Sequence, residues 1–105
     1  MADLLITGAS GFLGAHLMLL AAESGIDAVG LVHRHGLPVP GRSVSLDLAD
    51  TRKVMALVRS ERPGAIIHTA AISSPDYCEQ HFDEADDVNV TATGVLAMAA
   101  FAADA

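Results

Sequence analysis

The chain has 105 residues, enough for one domain, and 51% of them are hydrophobic against 18% charged, a composition that fits a packed core and excludes a disordered tail. Thirteen acidic against six basic residues leave a net charge of −7, which disfavours nucleic acid and anionic membrane surfaces as partners. The single cysteine, Cys78, allows no internal disulfide, and the longest nearly uncharged run, Phe12 to Ala22, is too short to cross a bilayer, so a cytoplasmic protein is expected.

In chain order, apolar runs of strand length alternate with runs of helix length, the rhythm of a parallel sheet covered by helices on both faces. A first strand covers about Asp3 to Thr7, and a helix follows from roughly Phe12 to Ser24, where Gly25 ends it. Strand two covers about Ala28 to Val32 and leads into His33-Arg34-His35-Gly36, with Pro38 and Pro40 forcing an extended connection. A short third strand is expected at Val44 to Leu46. Asp50 then caps a helix reaching about Arg62, with Val54, Leu57 and Val58 as its apolar stripe, and Pro63-Gly64 stops it. Strand four is Ala65 to His68. A loop at Ser73-Ser74-Pro75-Asp76 follows, and a last helix starts near Phe82 to Ala85, with Val88, Ala92, Val95 and Ala99 at helical spacing. Right-handed crossovers put the strands in the order 3-2-1-4, a Rossmann-type doubly wound α/β sheet whose crevice lies at the carboxyl ends of strands one and four.

The run Thr7-Gly8-Ala9-Ser10-Gly11-Phe12-Leu13-Gly14 sits where strand one turns into the first helix. Gly8 allows the sharp turn, Gly11 carries no Cβ to hold a pyrophosphate off the backbone, and Gly14 permits close packing of the helix. The amides of Ser10, Phe12 and Leu13 then face the phosphates, with the helix dipole behind them. A dinucleotide cofactor is the ligand this pattern fits.

Dinucleotide binders often place an acid about 20 residues beyond the turn, on the ribose 2′-hydroxyl. Here strand two ends in His33 and Arg34, and Asp27 lies at the wrong end of that strand. A guanidinium suits a 2′-phosphate, so NADP is favoured over NAD; a solvated Arg34 is the plainer alternative. Asp47 and Leu48 follow strand three, where a carboxylate and a backbone N–H suit an adenine edge, or where Asp47 simply caps local backbone. After His68-Thr69, the small residues Ala70, Ala71 and Ile72 let the backbone approach a ribose or nicotinamide, although Ala equally suits close helix packing. His68 reads as a hydrogen-bonded strand-end histidine rather than a catalyst, and His16 as a core or surface residue. Asn89, one turn before Thr93, is placed to bond the backbone of strand four, or to point at solvent. No His or Cys spacing reads as a metal site.

Thr7–Gly14, Asp47-Leu48, His68-Thr69-Ala70-Ala71 and Val88-Asn89-Val90, in this order, resemble the extended short-chain dehydrogenase/reductase family. Ser74-Pro75-Asp76, Glu79, Glu84-Ala85 and the run Asn89 to Gly94 are most similar to the dTDP-4-dehydrorhamnose reductase branch, relatives of the NAD-dependent epimerases and dehydratases. The resemblance implies reduction of a 4-keto sugar nucleotide with NADPH or NADH. Ala92-Thr93-Gly94 is also similar to the regulatory beta subunit of methionine adenosyltransferase, a non-catalytic relative that keeps the NADP site.

The family's general acid is a tyrosine in a Tyr-x-x-x-Lys pair, with the lysine lowering its pKa. Tyr77 is followed at the fourth position by His81, and Lys53 is the one lysine, so no catalytic residue is expected among residues 1–105. The resemblance therefore implies an amino-terminal NAD(P)-binding Rossmann domain without its substrate domain, inactive alone and meeting a sugar nucleotide only in a full-length form. The isolated chain is expected to self-associate or be marginally stable, through Val95, Leu96, Met98 and Phe101.

Overall fold

A computed structural model describes residues 2–70 and 90–105 of the chain. Its elements are β1 (Leu4–Thr7), α1 (Phe12–Glu23), β2 (Ala28–Val32), β3 (Arg42–Ser45), α2 (Thr51–Glu61), β4 (Ala65–His68) and α3 (Ala92–Ala102). The four strands pair in parallel in the order β3-β2-β1-β4. A parallel sheet buried on both faces demands apolar residues of both parities, and β1 and β2 supply them. Leu5, Val29 and Leu31 point to one side and pack with Val54 and Val58 of α2 and Leu96 and Ala99 of α3. Ile6, Ala28 and Val32 point to the other and pack with Met18 and Ala21 of α1.

β2 and β4 occupy the residues expected of them, whereas β3 runs two residues earlier than expected at its start and ends at Ser45. The cause is the pairing register, which sets Arg42 opposite Val29 and Ser45 opposite Val32. Arg42 anchors that start, donating to both carboxylate oxygens of Glu61 at 3.0 and 3.1 Å and lying 3.6 Å from the Asp27 carboxylate. Their pairing pushes the Glu61 carboxyl below its usual range. Leu46 still donates its amide to Val32 at 2.9 Å while its side chain turns into the core.

Asp50 caps α2 as expected, accepting from the Lys53 amide at 3.3 Å. α2 closes with Arg62 in the left-handed region at φ 45°, ahead of the buried Pro63. In α3 the buried face is Ala92, Leu96 and Ala99, with Val95 half-buried. Leu96 is therefore core and not exposed surface, because α3 packs on α2; Met98 and Phe101 remain exposed. The expected loop at residues 73–76, the helix start near 82–85 and Val88 lie outside the described residues. Among the described residues, no helix is long and apolar enough to cross a membrane.

Candidate cofactor site

The sheet register places Thr7, the last residue of β1, between Leu31 of β2 and His68 of β4. The glycine turn leaves the sheet at that point. The Ala9 amide donates to the Leu31 carbonyl at 3.0 Å and the Gly11 amide to the Gly8 carbonyl at 3.0 Å, so the turn is bound both to β2 and to itself.

The three glycines do different work. Gly8 has φ +67°, and a Cβ there would lie 2.6 Å from Thr69 Oγ1 and 2.7 Å from the Ala70 nitrogen. A Cβ on Gly14 would run into the Gly8 carbonyl, so the close approach expected of the helix is made to the turn itself. Gly11 is different: its φ of −80° suits any residue, and among the described residues an added Cβ would meet only the Gly8 oxygen within 4 Å, at 3.3 Å. The fold requires glycine at 8 and 14, whereas at 11 an added Cβ makes one tight contact with the Gly8 oxygen that a shift of a few tenths of an ångström relieves.

Gly11 is also the N-cap of α1, where no side chain bonds the free amides and no acid stands in the first turn. Gly11, Phe12 and Leu13 are exposed and Ser10 is half-buried. Helix N-termini left without a side-chain cap, with the positive dipole end exposed, attract an anion.

On the far side of β1, His33 and Arg34 emerge exposed from the carboxyl end of β2. His33 Nε2 lies 3.8 Å from Asp47 Oδ2, so the structure brings these two expected residues together. The other Asp47 oxygen accepts from the Ala49 amide at 3.0 Å, the local capping that was the alternative for this residue. The Leu48 side chain is buried in the core, which leaves only its backbone for a ligand. Asp27 sits at the amino end of β2 beside Arg42, away from the turn. His16 is exposed, donating from Nδ1 to the Phe12 carbonyl at 2.8 Å with its ring tilted against that of Phe12. Ala71, Ile72 and Asn89 lie outside the described residues, as do Tyr77, Cys78 and His81.

Sequence reasoning passed over Thr7 and Thr69. Thr7 is fully buried; its Oγ1 lies 2.6 Å from His68 Nδ1 and accepts from the Ala70 amide at 3.2 Å. Thr69 Oγ1 donates to the Thr7 carbonyl at 2.6 Å. A threonine closing an otherwise apolar buried strand was the available signal, since a buried hydroxyl must have partners.

Burial lowers the His68 pKa from its ordinary 6.5. The unfolded chain therefore binds this proton more readily than the folded one, so acid favours unfolding. The contribution is fully present above the ordinary value and is lost as pH falls through the folded one. The midpoint of thermal unfolding should drop as pH falls below about 6.5, and His68→Asn should flatten that dependence. Among the described residues, no three His, Cys, Asp or Glu side chains are grouped to hold a metal ion.

Residues 1–105 match the family described as RmlD substrate binding domain. The chain belongs to this family. The crystal structure of a hypothetical dTDP-4-dehydrorhamnose reductase from Sulfolobus tokodaii superposes with a TM-score of 0.90 at 30% identity, covering 98% of this chain and 36% of that one. MoeE5 in complex with UDP-glucose and NAD gives 0.81 at 30% identity, covering 96% of this chain and 33% of its own. The Bos taurus methionine adenosyltransferase 2 subunit beta is 36% identical over 98 residues, 93% of this chain and 28% of that relative. The chain thus spans about a third of the length of these relatives.

Proposed function

We propose that residues 1–105 form the dinucleotide-binding part of a nucleotide-sugar oxidoreductase, resembling dTDP-4-dehydrorhamnose reductase, with NADP(H) preferred to NAD(H). Gly11 carries this assignment. Of the three glycines of the turn it is the one where a Cβ is accommodated most easily, and it stands at an exposed helix N-terminus without a side-chain cap. A pyrophosphate supplies the acceptors those amides lack.

In this arrangement Ser10, Phe12 and Leu13 hold the pyrophosphate through backbone N–H groups. Asp47 and the Leu48 amide meet the adenine edge, and Arg34 with His33 meets the 2′-phosphate. Ala70, with Ala71, Ile72 and Asn89, forms the wall toward the ribose and nicotinamide. The bound nicotinamide supplies the hydride chemistry; these residues bind and orient it. In this proposal neither the sugar nucleotide nor a proton donor is placed on residues 1–105; the structure of MoeE5 in complex with UDP-glucose and NAD is covered by this chain over 33% of its length.

A second reading is supported by the match to the methionine adenosyltransferase beta subunit: a non-catalytic NADP-binding subunit that acts through a partner protein. Both readings require the same cofactor site. Titration calorimetry of the purified chain should show saturable binding of NADP+ and weaker binding of NAD+. Absence of binding by either dinucleotide overturns both.

A further inference from the structure

Thr7 and His68 face each other across the β1–β4 pair, on the side of the sheet covered by α3. The Thr7 hydroxyl has one proton to give and two lone pairs to share. The Ala70 amide takes one lone pair. If His68 Nδ1 also donated, both lone pairs would be occupied and the hydroxyl proton of a fully buried residue would have no acceptor among the described residues. If Nδ1 accepts, the Thr7 hydroxyl places its proton and its Ala70 bond together, which requires the neutral imidazole with its proton on Nε2.

We propose that His68 is a positioning residue for the dinucleotide turn: its Nδ1 takes the hydrogen bond of the Thr7 hydroxyl and thereby fixes the oxygen that holds the Ala70 amide beside Gly8. The inference rests on the cofactor reading above. The coupling is steric, because Thr69 Oγ1 and the Ala70 nitrogen occupy the space that a Gly8 Cβ would need. A shift of this backbone moves Gly8, and with it the start of the cradle.

Protonation of His68 makes both ring nitrogens donors, and the Thr7 hydroxyl must turn away. No other described charge competes for this role. β1 presents only apolar residues beside Thr7, the Gly8–Gly11 turn holds no ionisable side chain, and α3 holds none between Ala92 and Ala102. Burial, which lowers the His68 pKa, keeps the ring neutral at pH 7.

Two measurements test this. In the free protein, nitrogen NMR of the imidazole should find Nδ1 unprotonated and Nε2 protonated at neutral pH; the opposite tautomer overturns the proposal. Calorimetric affinity for NAD+, which lacks the titrating 2′-phosphate, is then followed from about pH 7.5 to about pH 5. Wild type should weaken roughly tenfold as His68 protonates. His68→Leu should be roughly tenfold weaker at neutral pH. His68→Asn, whose Oδ1 can accept in place of Nδ1, should bind within about twofold of wild type and lose the pH dependence. Should the leucine variant fail to fold, the asparagine variant decides through that flat profile. Equal affinity of wild type and His68→Leu, or a pH profile unchanged in His68→Asn, overturns the positioning role. A wild-type protein with the expected tautomer that binds neither NAD+ nor NADP+ overturns the cofactor reading and the proposal with it, leaving a structural hydrogen bond.

Discussion

Gly11→Val is expected to abolish dinucleotide binding while leaving the fold in place, and Gly14→Ala to damage the fold itself. The two substitutions lie three residues apart in one turn, yet their surroundings differ. At position 11 the new Cβ meets, among the described residues, only the Gly8 oxygen, at 3.3 Å, a tight contact that a small shift relieves, and the backbone is already in a conformation open to valine. The structural cost is that small shift together with the poorer N-cap, the cap alone about 1 kcal/mol, or a fall of roughly 4–8 °C in the unfolding midpoint of a domain this size. The isopropyl group, however, stands where a pyrophosphate would meet the amides. Losing even two charge-assisted hydrogen bonds at about 1.5–3 kcal/mol each removes measurable affinity. At position 14 the added Cβ meets the backbone carbonyl of Gly8, which cannot swing aside as a side chain would. Overpacking of this kind costs about 1–3 kcal/mol or more, so unfolding and binding should suffer together. Circular dichroism and calorimetry on both variants separate the cases. Wild-type affinity in Gly11→Val would remove the cradle assignment.

The contrast between those glycines marks where the sequence stops being informative. β2 and β4 were legible because each is a short, continuous, mostly apolar run between turn residues, and the glycine turn because its spacing has a mechanical meaning. β3 was misplaced because it is an edge strand of alternating exposed polar residues, Arg42-Ser43-Val44-Ser45. What makes it a strand is pairing with β2 and the Arg42–Glu61 contact, neither of which has a local signal. α1 was easy to find and hard to orient: it is apolar on every side, so nothing local distinguishes buried Met18 from exposed Leu20. The same ambiguity put Leu96 among the exposed residues, although it packs on α2. Within the site, the Thr7–His68–Ala70 cluster joins residues more than sixty positions apart. It exists because β1 and β4 pair in one particular register, and a slip of one residue would send those side chains to opposite faces. That register belongs to the assembled sheet and is not written in either strand alone.

Arg34→Ala is expected to erase the proposed preference for NADP(H) over NAD(H). Among the described residues, β2 runs at its carboxyl end into no acid that would receive a ribose 2′-hydroxyl. The strand runs from Val32 into His33, Arg34 and His35, while Asp27 is held at the amino end by Arg42 and donates its own amide to the Asp3 carboxylate. Asp47 follows β3, accepts from the Ala49 amide and lies 3.8 Å from His33, and the adenine edge is its proposed partner. In this proposal discrimination between the two cofactors falls to the Arg34 guanidinium, whose forked donors match a phosphate and gain little from a hydroxyl. Removing a hydrogen-bonding partner of a charged group costs about 1.5–3 kcal/mol, roughly a 10- to 150-fold loss for NADP+, with NAD+ affinity nearly unchanged. The contact is solvent-exposed, so the wild-type preference should also shrink as ionic strength rises, and the variant should show no such salt dependence. Arg34→Lys should recover only part of the loss, because an ammonium keeps the charge without the fork. Equal NADP+ affinity in wild type and Arg34→Ala would make Arg34 a solvated loop residue and would shift the discrimination, if any remains, to His33.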